Sequence, residues 1–316
     1  MTGAPGLQDV GLVSVVVLTF RRNEDVAELL PRLEQQAETV APLQVEVVVV
    51  DNDPDGSARE LVESYPSARI RYVHEPAPGI AHARNRALDE ASSSHLLVFI
   101  DDDERPMPDW LSSLVGTYRR TGAAAVAGLV IPDYAFPPER WIEAGGFFVR
   151  KQYPDGTLMP AAGSGNLLLD VRQVRAHGLR FDERFGLTGG SDHLFTRDLV
   201  RRGGRIVWSD RAEVVDKVPE QRLTRQWVVQ RQYRVGNTWS RTGLVLSEPG
   251  LARVATRLRL SARGLARVGL GGVRVLLGRL TRSDRMHARG SRMLARGRGM
   301  VSGAWGVTFH EYRRAT

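Results

Sequence analysis

Short apolar runs alternate with amphipathic segments along the N-terminal third of the chain. Two β-branched runs, Ser14–Phe20 and Val45–Val50, enclose a segment, Asp25–Glu38, whose apolar residues recur every three or four positions. β-branched runs favour strands. Apolar residues that recur every three or four positions favour an amphipathic helix in the segment between the runs. The pattern therefore predicts a β-α-β unit whose second strand ends in an acidic turn.

The same alternation continues towards the middle of the chain. A third predicted strand, Ile70–His74, precedes a helix through Ile80–Ala91 and the continuous apolar run Leu96–Ile100, which suits a strand buried on both faces of a parallel sheet. We therefore predict a doubly wound α/β sheet. Ligands of such sheets bind beyond the carboxyl ends of the strands, so the loops after the first, second and fourth strands are expected to share one crevice. Because no G-x-G-x-x-G motif follows the first strand, a nicotinamide cofactor is not expected.

One clear helical pattern lies in the otherwise irregular middle of the chain. It covers about Asp192–Arg202 and stops at two glycines, after which Arg205–Trp208 favours a strand. We treat this region as continuous with the preceding sheet. The prediction is one catalytic domain over residues 1–220.

The remaining residues, 221–316, form an Arg-rich extension with a helical pattern. Breaks in the helices are predicted at Pro249-Gly250 and at the glycine cluster Gly269, Gly271 and Gly272. The extension contains 20 arginines and three acidic residues, a net charge of +17, which leaves −9 for residues 1–220 although the whole chain carries +8. An acidic domain is thus followed by a basic one.

The basic extension contains an amphipathic stretch between residues 251 and 280. Its apolar residues recur every three or four positions, while arginines occupy the other faces; the apolar set is Leu251, Val254, Leu258, Ala262 and Leu265. Such a helix can lie on an anionic membrane surface or pack on the acidic domain. Because the stretch lacks interleaved aromatic residues and a recognisable module, no nucleic-acid partner is expected.

Composition restricts both the chemistry and the compartment. The chain has no cysteine, which excludes a disulfide framework, a thiolate nucleophile and a Cys-ligated metal site. No apolar run reaches the roughly 20 residues that a membrane span needs, and the first residues lack the basic region of a secretory signal. We expect a cytoplasmic protein, either free or peripheral at the inner face of the membrane.

The sharpest local feature is the acidic cluster Asp101-Asp102-Asp103 at the end of the fourth predicted strand. In an extended segment Asp101 and Asp103 share one face, while Asp102 points away. Two carboxylates in one crevice can hold a hard divalent cation, which typically binds phosphate oxygens as well. The alternative is a solvated acidic turn that caps the helix beginning near Trp110.

Two further acidic positions carry candidate chemistry. Asp51 directly follows the second strand and can accept the N–H of a uracil or the hydroxyls of a ribose, although Asn-Asp-Pro-Asp-Gly is also good turn chemistry. Asp192 follows two glycines at the start of the predicted helix. There it can cap the helix, act as a general base towards a substrate hydroxyl, or do both.

Seven blocks of sequence, in their order and spacing, resemble family 2 glycosyltransferases of the GT-A fold. The blocks are Thr19–Arg22, Val47–Asp53, Gly79–Leu88, Phe99–Leu111, Gly163–Leu169, Phe181–Asp192 and Gly203–Trp208. Each block is weak alone and the set is specific, covering about residues 13–240. The resemblance implies a GT-A type doubly wound mixed sheet. It also implies inverting sugar transfer from a nucleotide-sugar donor, a UDP-sugar being favoured, with a divalent cation, Mn²⁺ or Mg²⁺, bound by the D-x-D motif.

The resemblance further implies a role for each matching residue. The set assigned to the nucleotide-sugar is Thr19, Phe20, Arg21, Asp51, Asp53, Arg84, Asp101 and Asp102. The cation is assigned to Asp103 with Asp101 and Asp216, and the general base is Asp192. Contacts to the acceptor or the sugar are assigned to Trp110, Asn166 and Gly190; for Trp110 and Asn166 the alternatives are a core aromatic and a turn asparagine.

Two positions depart from the family pattern. Many relatives have Glu-Asp where this chain has Ser191-Asp192, and many have His where Asp216 stands. These departures motivate an alternative hypothesis, a protein that keeps the nucleotide fold without turnover and serves as a membrane-associated or nucleic-acid-binding module. For the enzyme, the predicted acceptor is a glycan, a lipid-linked intermediate of a cell-surface polysaccharide or glycolipid, or a small secondary metabolite.

Overall fold

The apolar runs of the sequence form the central strands of one eight-stranded sheet. A computed structural model describes residues 11–308. Its strands are β1 (Leu12–Thr19), β2 (Gln44–Asp51), β3 (Ile70–His74), β4 (Leu96–Asp101), β5 (Glu104–Pro106), β6 (Ala125–Tyr134), β7 (Asn166–Asp170) and β8 (Ile206–Val218). They lie side by side in the order β3-β2-β1-β4-β7-β6-β8-β5.

Strand pairing is parallel on one side of the sheet and antiparallel on the other. β1 pairs in parallel with β2 and β4, and β2 with β3, whereas β7 is antiparallel to β4 and β6. Val15 and Val17 of β1 belong to the apolar core on one face, and Val16 and Leu18 to the core on the other face, as the alternation of side chains along a strand requires. The predicted doubly wound mixed sheet is confirmed.

Ten α-helices connect or follow the strands of the described chain. They are α1 (Asn23–Glu38), α2 (Arg59–Glu63), α3 (Ile80–Glu90), α4 (Trp110–Thr121), α5 (Arg140–Gly145), α6 (Val171–Ala176), α7 (Ser191–Arg201), α8 (Arg225–Val245), α9 (Leu251–Leu280) and α10 (Asp284–Ala304). The predictions for α1, α3 and α7 agree within two residues at each end. The last predicted strand was too short: β8 continues beyond Trp208 to Val218, and three of the added residues, Val214–Asp216, pair with β5.

Internal contacts divide the described chain into two units. One comprises the residues up to Ile131 with Arg150–Leu187 and Ser191–Asp216. The other comprises Pro132–Val149, Thr188–Gly190 and the chain from Lys217 onwards. In this second unit α8, α9 and α10 pack together.

The C-terminal helices confirm one predicted break and correct the other. α8 ends at Val245 and α9 begins at Leu251, with Gly250 between them at φ +77°. The glycine cluster, Gly269, Gly271 and Gly272, does not interrupt α9. A Cβ at Gly271 would lie 2.6 Å from the backbone nitrogen of Leu294 on α10, so close packing of two helices offsets the roughly 1 kcal/mol by which glycine disfavours a helix.

No helix among residues 11–308 is long and apolar enough to cross a membrane.

Candidate active site

The candidate site lies in the first unit, at the carboxyl ends of the parallel strands. Thr19 of β1 is in register with Asp51 of β2, and Leu18 is in register with Asp101 of β4. The three strands therefore deliver their following loops to one edge of the sheet, as predicted.

The loop after β2 is braced by its own acidic residues. The carboxylate of Asp51 accepts the backbone N–H groups of Asp53, at 2.9 Å, and Ala58, at 2.8 Å. Asp53 receives the guanidinium Nε of Arg21 at 3.1 Å. Burial raises the pKa of Asp53, but hydrogen bonds from Arg21 and Ser57 lower it by more than burial raises it. The net pKa therefore lies below its usual range. The predicted turn chemistry is therefore present at both carboxylates. Phe20 is exposed, and the guanidinium carbon of Arg21 lies 5.4 Å from the centre of its ring.

Arg22 joins the end of β1 to the acidic cluster after β4. Its Nη1 donates to Asp102 and to Asp103, each at 2.8 Å, and Thr19 Oγ1 donates to Asp102 at 2.9 Å. Burial raises the pKa of Asp102 to about 6, against the opposing charge of Arg22. The predicted orientation of Asp102, away from its neighbours, is wrong, because residues 102–103 form a turn between β4 and β5 and not an extended segment.

A second group of carboxylates converges behind the turn. A Cβ at Gly165 would lie 2.7 Å from Glu104 Oε1 and 2.8 Å from Asp101 Oδ2, so this glycine makes room for both side chains. Glu104 of β5 lies opposite Asp216 of β8 in the antiparallel ladder, and Nη2 of Arg150 lies 3.8 Å from Oδ2 of Asp216. These residues collect negative charge at one place.

Burial and like charge raise the pKa of two carboxyl groups in this cluster, Asp101 and Glu104. Burial raises the pKa of Asp101 to about 7, the charge of Asp103 raises it further, and Arg84 lowers it. Burial also raises the pKa of Glu104 well above its usual range, with Asp101 and Asp216 adding to the effect. A raised carboxyl pKa means that the site disfavours further negative charge and favours a cation.

The chemistry of this donor set fits a divalent cation. Oxygen ligands from several carboxylates are what Mn²⁺ and Mg²⁺ prefer. Among residues 11–308, however, no three His, Cys, Asp or Glu side chains are arranged to ligate one ion together. Asp103 instead faces the Arg22 guanidinium.

Arg84 connects the acidic cluster to the start of α7. This arginine of α3 is buried, and its Nη1 donates to Ser191 Oγ at 2.7 Å, while its Nε has no hydrogen-bond partner in the described structure. Burial raises the pKa of Asp192, but the charges of Arg84 and His193 and the His193 backbone N–H lower it, and the net pKa lies below its usual range. Asp192 is therefore ionised at neutral pH. The Ser191 hydroxyl holds the Arg84 guanidinium in place.

An open cavity of about 200 Å³ adjoins Asp192. A Cβ at Gly163, in the cavity wall, would lie 3.5 Å from Asp192 Oδ2. The polar and aromatic part of the wall consists of Arg150, Lys151, Tyr153, Asn166, His193 and Trp208. In the described structure Trp208 Nε1 and His193 Nδ1 are buried without a hydrogen-bond partner.

The predicted acceptor contacts occupy different positions. Trp110 is fully buried and donates its indole N–H to Asn166 Oδ1 at 2.9 Å, so it is a core residue. Asn166 lines the cavity, but its amide donates to the carbonyls of Leu129 and Ala212. Gly190 belongs to the second unit, where it adopts φ +95° and packs against Thr238.

Sequence reasoning missed three residues of this arrangement. Arg22 and Glu104 lie within matching blocks, and their charge is the signal that the sequence offers. At Ser191 the sequence shows only that a carboxylate is lacking. Their roles depend on partners 80, three and 107 positions away, which the linear pattern does not pair.

Comparison with known proteins gives the family. The model of glycosyl transferase family 2 matches residues 14–171. Succinoglycan biosynthesis protein ExoM of Rhizobium meliloti is 36% identical over 240 residues, which cover 72% of this chain and 74% of that protein.

Solved structures give the fold type. S. aureus TarS 1–349 in complex with UDP has a TM-score of 0.52 at 16% identity, over 89% of this chain and 90% of that one. GalNAc-T7 with UDP, GalNAc and Mn²⁺ has a TM-score of 0.53 at 14% identity, over 77% of this chain and 49% of that one. The likeness shows a mixed sheet of GT-A type. With the family match and the shared blocks of sequence, the chain belongs to glycosyl transferase family 2 and is a glycosyltransferase.

Proposed function

We propose that this chain moves a sugar from a nucleotide-diphosphate sugar, with a UDP-sugar favoured, to an acceptor hydroxyl with inversion at the anomeric carbon. The observation that carries the proposal is Asp192, a carboxylate of lowered pKa held beside Arg84 and next to an open cavity. A carboxylate in that position can take the proton of an acceptor hydroxyl. A single displacement needs one such base and no covalent intermediate.

In the proposed displacement one bond forms, one bond breaks and one proton is transferred to a residue of the site. The acceptor oxygen attacks the anomeric carbon, the bond from that carbon to the diphosphate oxygen breaks, and Asp192 receives the hydroxyl proton. Arg84 keeps the base ionised, because its charge lowers the pKa of Asp192. The hydroxyl becomes acidic as its oxygen bonds to carbon, so a weak base suffices once it is well positioned.

The donor is proposed to bind over the loops that follow β1 and β2. An open cavity of about 420 Å³ there is lined by Arg21, Arg22, Asn23, Glu24, Asp25 and Ser57. Guanidinium groups pair with phosphate oxygens through charge-assisted hydrogen bonds. Thr19, Asp51 and Asp53 would then line the base pocket and Arg84 would face the diphosphate. The UDP in the TarS structure supports this class of donor.

A divalent cation, Mn²⁺ or Mg²⁺, is proposed to bind at the acidic cluster. Asp103 and Asp101, with Asp216, would hold it, and Glu104 would add negative charge beside them. When bound, such an ion neutralises the charge of the leaving diphosphate. The raised pKa of Asp101 supports the proposal, as does the Mn²⁺ in the GalNAc-T7 structure.

The acceptor is proposed to enter the cavity beside Asp192. Tyr153 and Trp208 meet edge to face there, with ring centroids 5.5 Å apart, and Lys151 Nζ lies 4.5 Å from the Tyr153 ring centre. Aromatic faces with polar groups between them suit the alternating apolar and hydroxyl surfaces of a sugar. The relative named for succinoglycan biosynthesis supports a glycan acceptor in polysaccharide synthesis. A lipid-linked or small-molecule acceptor would present the same hydroxyl.

Replacement of the base tests the proposal. UDP release from UDP-sugars would be measured with glycan, lipid-linked and small-molecule acceptors in the presence of Mn²⁺. We expect Asp192→Asn to lower the transfer rate by about 10²- to 10⁴-fold, while UDP binding measured by calorimetry is retained. Asp198→Asn is the matched control, since Asp198 lies on the same helix and pairs with Arg201 and Arg202.

Two outcomes would contradict the proposal. Full transfer by Asp192→Asn would remove Asp192 from the role of base. UDP binding by the wild type with no transfer from any donor would favour the alternative hypothesis of a nucleotide-fold protein without turnover.

A further inference from the structure

Helix α9 buries mainly glycines and exposes most of its large apolar residues. The buried positions are Leu260, Gly264, Gly271 and Gly278. The exposed large apolar side chains are Leu251, Val254, Leu258, Leu265, Leu270, Val273, Leu276, Leu277 and Leu280. A helix on the surface of a globular protein ordinarily has the opposite arrangement, with its apolar stripe facing the core.

The two kinds of residue lie on opposite sides of the helix. Gly264, Gly271 and Gly278 are seven positions apart and share one face at about 100° per residue. Cβ atoms at Gly264 and Gly271 would lie 2.9 Å from Gly297 O and 2.6 Å from the Leu294 nitrogen, so this face packs on α10. The leucines lie roughly half a turn away from it, and α10 cannot cover them.

The exposed face, which we call the α9 leucine face, carries a strong positive charge beside it. Residues 251–280 contain seven arginines and no acidic residue. Arg259 and Arg279 flank the leucine face on opposite sides by helical geometry, and both are exposed. The face therefore offers an apolar surface about 45 Å long, at 1.5 Å per residue, bordered by cations.

We propose that the α9 leucine face binds the surface of an anionic lipid membrane. Its leucines would enter the boundary between headgroups and acyl chains, and the flanking guanidinium groups would pair with lipid phosphates. A second copy docked through the same face would bring its own Arg259 and Arg279 to these cations, and α9 carries no acid to pair with them, so like charges oppose a dimer through this face. A nucleic acid would satisfy the arginines and leave the leucines in water. An anionic lipid surface matches both features.

The proposal concerns the second unit alone and does not depend on the chemistry of the active site. Membrane binding and sugar transfer are measured separately, so either can fail without the other.

Vesicle flotation of the full chain tests the proposal. We expect binding to vesicles of phosphatidylcholine mixed with phosphatidylglycerol, little binding to phosphatidylcholine alone, and loss of binding in high salt. Arg259→Gln and Arg279→Gln should each weaken partitioning about fivefold. The triple variant Leu258→Ser, Leu265→Ser, Leu276→Ser should weaken it at least about tenfold, since each exposed leucine contributes apolar area. Leu158→Ser, at a leucine equally exposed outside α9, is the matched control.

A second measurement uses the absence of cysteine from the chain. A single cysteine at Leu265→Cys, labelled with an environment-sensitive fluorophore, should shift to the blue on anionic vesicles. The same label at Leu158→Cys should not. This readout needs only one exposed substitution, so it stays informative if the triple variant does not fold.

Three results would overturn the proposal. The first is wild-type chain that stays unbound to anionic vesicles. The second is binding that is unchanged in the triple variant and without a spectral shift at position 265. The third is a dimer in lipid-free sedimentation that the triple variant converts to a monomer, with no vesicle binding by either form, which would make the face an interface between copies.

Discussion

Asp101 ends a buried strand, and its surroundings change its protonation. Burial raises its pKa to about 7, whereas an aspartate in an unfolded chain has a pKa of about 3.9. Between these values the folded chain binds a proton that the unfolded chain releases. The contribution of Asp101 to the free energy of unfolding is therefore expected to fall as the pH rises from about 4 to about 7.

Asp101→Asn should reduce this slope. Because the amide cannot ionise, the variant should gain most stability relative to wild type above pH 7 and least near pH 4. Urea unfolding across this range, with a chelator present, measures the effect, and Asp198→Asn serves as the control. Glu104, whose pKa burial also raises, contributes a slope of the same sign, so a reduction and not a loss is expected. An identical slope in wild type and Asp101→Asn would contradict the prediction.

At the scale of single residues, a position was predictable from sequence where the end of a strand fixes it. Asp51 and Asp101 follow directly from apolar runs, and the structure places both at the same sheet edge. The turn at residues 102–103 reverses the expected direction of Asp102, because a tight turn breaks the alternation on which that prediction rested. Arg22 and Glu104 acquire their partners only through that turn.

At the scale of elements, two glycines of α9 distinguish close packing between helices from the intrinsic helix propensity of glycine. A Cβ at Gly271 would lie 2.6 Å from the Leu294 nitrogen, whereas a Cβ at Gly269 would meet nothing within 4 Å. Gly271→Ala is therefore expected to lower the free energy of unfolding by about 1 to 3 kcal/mol, as overpacking does. Gly269→Ala should instead raise it, by at most about 1 kcal/mol, because alanine is the better helix former.

Both variants can be compared by urea unfolding followed by far-ultraviolet circular dichroism. The pair is matched in chemistry and lies within one turn of the same helix, so a difference in sign isolates the packing contact. Equal effects of the two substitutions would show that α9 and α10 do not approach each other closely in solution.

The elements of the sheet were largely predictable, and the packing of the C-terminal helices was not. A β-branched apolar run such as Val45–Val50 is expected to form a buried strand, and β2, Gln44–Asp51, confirms this. A glycine cluster has two outcomes, a break or a close helix contact. The outcome depends on whether another helix packs against the glycines, and the sequence of α9 does not show that α10 does so.

At the scale of the whole chain, tertiary contacts regroup segments that are distant in sequence. Trp141 donates its indole N–H to His287 at 3.1 Å, and both lie in the second unit. The linear pattern gave no sign that Pro132–Val149 belongs with helices more than a hundred residues later. The functional division into a catalytic domain over residues 1–220 and an extension stays a prediction.

Ligand binding should stabilise the chain as a whole, because only the folded chain brings the strand ends together. We expect UDP with Mn²⁺ or Mg²⁺ to raise the unfolding temperature more than dTDP or GDP does. At about 100 times the dissociation constant the gain corresponds to about 2.7 kcal/mol. Asp103→Ala should abolish the dependence on the cation, whereas Asp198→Ala should leave it unchanged. Binding of UDP that is equally tight without a cation and in Asp103→Ala would show that the acidic cluster is a structural turn, held by Arg22, and not the place where the donor's cation binds.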